Sequence, residues 1–281
     1  MPPNGTPGYF VAPDIFGGCV PPNGDDIQIW EFWVNWNCCT TSCTGCYSLG
    51  SGNSGTPNQV IELASTPCGQ KDPDLCNANR EACIDQPDTN QKLEAISDRF
   101  MHALRYRHWS GSPGYASMVV NHTVDAANNV GAPWWLELRK SDTASTWTLR
   151  QCSVFSPDTL DRWMGSISIN AFEDMFLGYS RSGSTAPNYP SLAATARLGT
   201  DPLNTMGSEA VLHAGGGSQT DNRGRWGDYT TTSVDPLDDC LWWHVNEYYS
   251  ATSSASWQTR IAVTEFPRYW AISRNRAGTS I

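Results

Sequence analysis

Arg99, Arg162 and Arg225 each precede an aromatic residue, Phe100, Trp163 and Trp226, and successive arginines stand 63 residues apart. A guanidinium is planar, permanently charged and forked, so three of them facing one cavity would grip a carboxylated ligand through paired hydrogen bonds. Close to the third arginine in sequence are Asp228, Tyr229 and Glu247, groups able to serve as acid, base or nucleophile in glycoside hydrolysis. The competing role is structural. Each arginine would stack on a neighbouring aromatic and pair with an acid such as Asp98 or Asp161, and a residue that recurs with the repeat serves the repeat before it serves a site. The structural role is the favoured expectation.

Other chemistry is thinner. Asp235, Asp238 and Asp239 supply carboxylates that a calcium ion would accept, but their spacing is not that of an EF-hand loop, and aspartate is a common turn former. No cofactor other than calcium is suggested. The five histidines, His102, His108, His122, His213 and His244, show no zinc-protease spacing. No G-x-S-x-G occurs, and Gly215-Gly216-Gly217-Ser218 lacks the lysine and following helix of a phosphate loop. The sequons at Asn4 and Asn121 are candidate glycosylation sites.

The ten cysteines are Cys19, Cys38, Cys39, Cys43, Cys46, Cys68, Cys76, Cys83, Cys152 and Cys240, and eight fall within residues 19–83. That segment is rich in Gly, Ser, Thr, Pro and Asn, cannot pack a core of its own, and needs cross-links to become ordered. Cys43-Thr-Gly-Cys46 has CxxC spacing, yet neither a second CxxC nor paired histidines accompany it, so disulfides are preferred to a metal site. Oxidised cysteines imply an extracellular or cell-surface location. Met1-Pro2-Pro3-Asn4-Gly5 has neither a basic nor an apolar leader region, which fits a chain whose leader has been removed or a fragment of a longer one.

Composition bounds the elements that must position these groups. The 281 residues carry 18 Lys+Arg against 28 Asp+Glu, a net charge of −10 without a basic block, which argues against nucleic acid and anionic membranes as partners. No run of about 20 apolar residues is present to span a membrane. With 13 Trp, 10 Tyr and 8 Phe the chain can bury a large core, and with 24 Gly, 18 Pro and few lysines that core is expected to be all-β. Short apolar or β-branched runs follow each Arg-aromatic pair. Residues 115–124, 175–180 and 240–249 come first, then 133–139, 191–197 and 257–263, then 147–155 and 208–213, separated by Gly, Pro, Asn, Asp and Ser clusters. Residues 26–36 form a further strand, with 60–63 as its partner.

Strands in fours at a fixed period are the sequence pattern of β-propeller blades. The expectation is one domain over residues 1–281, four-bladed or part of a larger propeller. A partial blade covers about 1–92, with a Cys-rich insertion at 37–83, and further blades cover 93–158, 159–218 and 219–281.

Two features add a resemblance. Ser141-Asp142-Thr143-Ala144-Ser145-Thr146-Trp147 is similar to the Asp-box turn of sialidase-type propellers. Arg225-Trp226-Gly227-Asp228-Tyr229, Val234-Asp235-Pro236, Asp238-Asp239-Cys240 and Asn246-Glu247-Tyr248-Tyr249, with Arg162–Ser166 and Asn121–Asp125, resemble a group of secreted, mostly bacterial propeller proteins of unassigned activity. The resemblance spans most of residues 93–266 and implies that the chain corresponds to the C-terminal part of such a propeller. The expected function is binding or assembly at the cell surface with a protein or glycan partner. The alternatives are a sialidase-like hydrolase with an arginine-lined axial pocket, and a structural subunit completed by another chain.

Overall fold

Short runs of aromatic and β-branched residues, interrupted by Gly, Pro, Asn and Asp, leave no segment with a helical period. The computed structural model accordingly contains strands and no helix among the residues it describes, which are 7–14, 26–34, 47–52, 55–63, 75 and 82–265. In chain order the strands are β1 (Gly8–Asp14), β2 (Asp26–Val34), β3 (Tyr47–Leu49), β4 (Gln59–Glu62), β5 (Ala82–Ile84), β6 (Leu93–Glu94), β7 (Arg105–Trp109), β8 (Tyr115–Asp125) and β9 (Gly131–Ser141). They continue with β10 (Thr148–Val154), β11 (Asp161–Ile169), β12 (Met175–Ser182), β13 (Ser191–Arg197), β14 (Ala210–His213), β15 (Thr231–Val234), β16 (Leu241–Tyr248) and β17 (Gln258–Glu265).

Every pairing between these strands is antiparallel, and each sheet is drawn from one stretch of chain. Sheet I holds β1–β4, with β1 on one side of β2 and both β3 and β4 on the other. The chain leaves that ladder at Gly50, whose N–H donates to Glu31 O, and returns at Asn58, whose N–H donates to Ile29 O. Gly50 has φ +72°, and a Cβ there would lie 2.1 Å from Thr56 O, so only glycine makes this exit. Sheets II (β7–β10) and III (β11–β14) are four-stranded meanders, sheet IV (β15–β17) has three strands, and β5 and β6 form a small ladder. No closed barrel or closed propeller is formed among the described residues.

Alternation along the middle strands explains the stacking. In sheet II, Met118, Val120, Leu136 and Leu138 join Ile27, Ile29 and Leu63 of sheet I and its margin in one cluster. Their neighbours Val119 and Trp135 point the opposite way and join Ile167, Leu177, Tyr179 and Ala193 of sheet III. Sheet III repeats the device, because Phe176 and Ala194 face Trp242 of sheet IV, with the Phe176 and Trp242 rings stacked at 6.0 Å. Successive side chains of a strand face opposite sides, so an unbroken apolar run such as Met118-Val119-Val120 marks a sheet buried on both faces.

The first strands of sheets II, III and IV also meet one another. Arg105 Nη2 on β7 donates to Thr231 Oγ1 (2.9 Å) and Thr232 O (2.5 Å) on β15, and the Thr232 N–H donates to Ser166 Oγ on β11 (2.8 Å). Arg107 on β7 grips Asp239, which also accepts the Ala171 N–H beyond β11.

The strands expected from the apolar runs are present as β8, β12 and β16, then β9, β13 and β17, then β10 and β14, and residues 59–62 pair with β2 as expected. Of the cysteines, only Cys83, Cys152 and Cys240 are among the described residues; Cys83 and Cys152 are disulfide-bonded, and Cys240 is not. The other seven, most of the Cys-rich insertion and Asn4 lie outside them. Asn121 is not a surface glycan acceptor. It is buried in β8, between two other strands of sheet II, and its Nδ2 lies 2.5 Å from where a Cβ on Gly165 would stand.

Candidate functional site

The polar groups of the segment that leads into β15 are largely spent on local hydrogen bonds. The Arg223 guanidinium holds Asp221 through two bonds of 3.0 Å, and the Asp221 carboxylate also accepts the Arg223 N–H at 2.8 Å. Gln219 Nε2 donates to Arg225 O, and the Glu94 N–H donates to Gly224 O. Gly224 and Gly227 both have φ +65°, a conformation that suits glycine. Trp226 is the anchor: it is buried, donates Nε1 to Ser180 Oγ at 2.9 Å, and packs against Trp163 and Tyr249 with ring centroids 5.9 and 5.8 Å away.

This segment and the end of β16 wall a cleft of about 480 Å³. Arg225 and Asp228 form an ion pair on one side, and Glu247 projects from β16 on the other. Burial, reinforced by the Asp228 charge and opposed by the Gly227 N–H, pushes the Glu247 carboxyl up to about 7. Asp228 also faces His102, whose imidazole is pushed down to about 4 chiefly by burial. Two aromatic rings stand at the rim, Trp257 at 61% and Tyr229 at 92% exposed. A second cleft, near Tyr115 and Arg150, is occupied on one wall by Arg139, which Glu137 and Glu173 already hold.

The structure therefore brings Arg225, Asp228, Tyr229 and Glu247 together and leaves the other two arginines apart. Arg99 is exposed in a turn and pairs with Asp98. Arg162 is fully buried on β11, where Glu209, Asp158 and the Leu160 carbonyl take its donors. No ring of three guanidiniums exists, and no unpaired arginine of the three faces a cavity. The partner expected for Arg162, Asp161, instead accepts the Gly131 N–H at 2.8 Å. The acidic turn is likewise used internally. Asp235 accepts the N–H groups of Leu237 and Asp238 and the Trp243 indole, Asp238 accepts the Cys240 N–H, and Asp239 is bound by Arg107. Those bonds are what a turn-forming role requires. Sequence reasoning passed over Asp221, Arg223 and Trp257, since nothing in the spacing from 221 to 257 signals that they share a rim.

The end sheets have a different kind of surface. Cross-strand partners place Leu241, Trp243, Val245 and Glu247 on one face of β16 beside Ile261 and Val263 of β17. Ile261, at 62%, Val263 and Trp243 are exposed there. On sheet I, Phe10, Phe32 and Tyr47 form a chain of ring contacts on the face turned away from sheet II, and Phe10 and Tyr47 are each 57% exposed. No helix among the described residues is long and apolar enough to cross a membrane. No protein-family model, curated protein or solved structure matches this chain.

Proposed function

We propose that this chain is a secreted or cell-surface module of the β-propeller type that works by binding and assembly. One observation carries the reading. Among the described residues, sheets II and III are each covered on both faces by a sheet like themselves, whereas sheets I and IV each have an apolar face that no described sheet covers. Clustered exposed rings and aliphatic groups cost free energy in water and mark contact surfaces. The convergence of β7, β11 and β15 supports blades fanned about a common centre, because the first strands of propeller blades meet at the axis. The occupant that fits the bare faces is a second copy of the chain, the outer face of its sheet I packing on sheet IV as the internal sheets pack on one another. Such contacts are head-to-tail and generate a ring where the rotation closes and an open filament where it does not.

Sedimentation analysis over a range of protein concentrations tests this. Self-association is expected, and Ile261→Lys with Val263→Lys should abolish it while leaving the thermal midpoint unchanged, because both side chains are exposed. A wild-type monomer at every concentration would refute assembly. The extracellular half of the reading is tested separately by the mass of the unreduced protein. Two hydrogens should be missing for each disulfide, and a full complement of thiols would count against secretion.

A further inference from the structure

We infer that the cleft between the 219–229 segment and β16 is a binding site for a neutral carbohydrate. The inference rests on the extracellular half of the proposed function, since such ligands are displayed outside cells, and it does not depend on self-association.

The rim supplies the first argument. Trp257 and Tyr229 expose flat apolar rings beside polar groups, and such rings are amphipathic platforms, with an apolar face for the C–H groups of a pyranose and a polar edge for its hydroxyls. The walls supply the second. Arg223 is bonded to Asp221, and Arg225 to Asp228. Each charge is offset by a neighbour within a few ångströms, so among the described residues the cleft has no spare cation to balance a carboxylate or phosphate. The paired groups still have uncommitted lone pairs and N–H donors, suited to hydroxyls, which donate and accept at once. Glu247 adds to this, since a carboxyl near its midpoint at neutral pH offers both a donor and an acceptor. The volume, about 480 Å³, falls in the range of small-molecule clefts, roughly 300–1,000 Å³. The second cleft has no tryptophan among its described lining residues.

The test is an array of oligosaccharides, half of them neutral and half sialylated or uronic, followed by calorimetric titration with the strongest neutral tetrasaccharide. Neutral glycans should bind, and Trp257→Ala should weaken binding at least tenfold, about 1.4 kcal/mol. Because Trp257 is exposed, that variant should unfold at the wild-type temperature. Tyr229→Ala provides a second exposed position and should weaken binding less. Preference for acidic glycans, full binding by both variants, or no binding to any neutral glycan overturns the inference. An empty array from a protein whose unreduced mass shows disulfides removes this site alone, whereas a full thiol count removes the extracellular premise.

Discussion

The Arg105 guanidinium on the first strand of sheet II donates to the Thr232 carbonyl on the first strand of sheet IV at 2.5 Å, and to Thr231 Oγ1 at 2.9 Å. Sheet III lies between those sheets in the chain, so this contact ties elements that no ladder joins. Burial lowers the Arg105 pKa, and neutral acceptors take the place of a carboxylate. Arg105→Met keeps the aliphatic stem and removes the donors. Leaving the Thr232 carbonyl without this partner should cost about 1–3 kcal/mol, or a fall in the thermal midpoint of roughly 2–4 °C per kcal/mol in a domain of this size. An unchanged urea midpoint would show that sheets II and IV are held without this contact.

Three arginines that look equivalent in sequence should respond very differently to removal. Arg162→Ala would remove a fully buried guanidinium from between Asp158 and the half-buried Glu209, leaving Arg181 as the remaining cation on Glu209. Losing the charge-assisted hydrogen bonds of a fully buried guanidinium should cost roughly 1.5–3 kcal/mol. Arg99→Ala and Arg225→Ala remove exposed partners of Asp98 and Asp228, where the loss should be under about 1 kcal/mol. Parallel urea titrations decide this, and equal losses at all three positions would restore the idea of equivalent roles.

That contrast also shows where the sequence stops being legible. The strands are readable because apolar runs such as 115–124 mark them, and in β8 the neighbours Met118 and Val119 are buried on opposite faces. Equal spacing of the arginines carries no such guarantee. Arg99 and Arg225 each sit six residues ahead of β7 and β15, in loops, whereas Arg162 is already the second residue of β11. Met164 has φ +50° and the equivalent Gly227 has φ +65°, but only in sheet III does the ladder continue on the N-terminal side of that kink, with a register shift between Trp163 and Ser166. A bulge of this kind inserts residues into a ladder without changing the count between motifs. In the cleft, Glu247 and Asp228 are recognisable as acids, but Trp257 becomes part of the site only because β16 turns back toward the segment before β15. Local pattern contains nothing about that approach.

Buried imidazoles set the acid limit of the fold. His102, His122 and His244 are each pushed down to about 4, in every case first by burial. An unfolded histidine takes its proton near 6.5, so between about pH 4 and 6.5 the unfolded chain binds more protons than the folded one. Stability therefore rises with pH across that window and is lost as the pH falls through it. Glu247 and Asp161 act in the opposite sense, because burial raises them to about 7 and about 6. Their contribution is complete at low pH and disappears as the pH climbs toward those values. Three groups outweigh two, so the urea midpoint should be lower at pH 4.5 than at pH 7. His122→Phe, which keeps an aromatic ring between Phe100 and Trp134, should recover about 1–2 kcal/mol of that loss, since a pKa displaced by one pH unit is worth about 1.4 kcal/mol. A midpoint independent of pH would contradict neutral, buried imidazoles.

A glycine on β12 lets sheets III and IV approach closely. A Cβ on Gly178 would stand 2.4–2.6 Å from three atoms of the His244 ring, and His244 is fixed there by a 2.9 Å hydrogen bond between its Nδ1 and Thr232 Oγ1. Both residues lie mid-strand, and the ring packs in the layer with Phe176 and Trp242, so neither backbone nor ring has room to retreat. Gly178→Ala should therefore destabilise by about 1–3 kcal/mol through overpacking, even though alanine suits a strand better than glycine does. His244→Ala should also destabilise, because it opens a cavity and leaves the Thr232 hydroxyl without its partner. The informative measurement is the pair. If the methyl and the ring compete for one space, the double variant should lose at least about 1 kcal/mol less than the sum of the single losses. Strict additivity would mean that sheets III and IV are spaced widely enough to admit the methyl group.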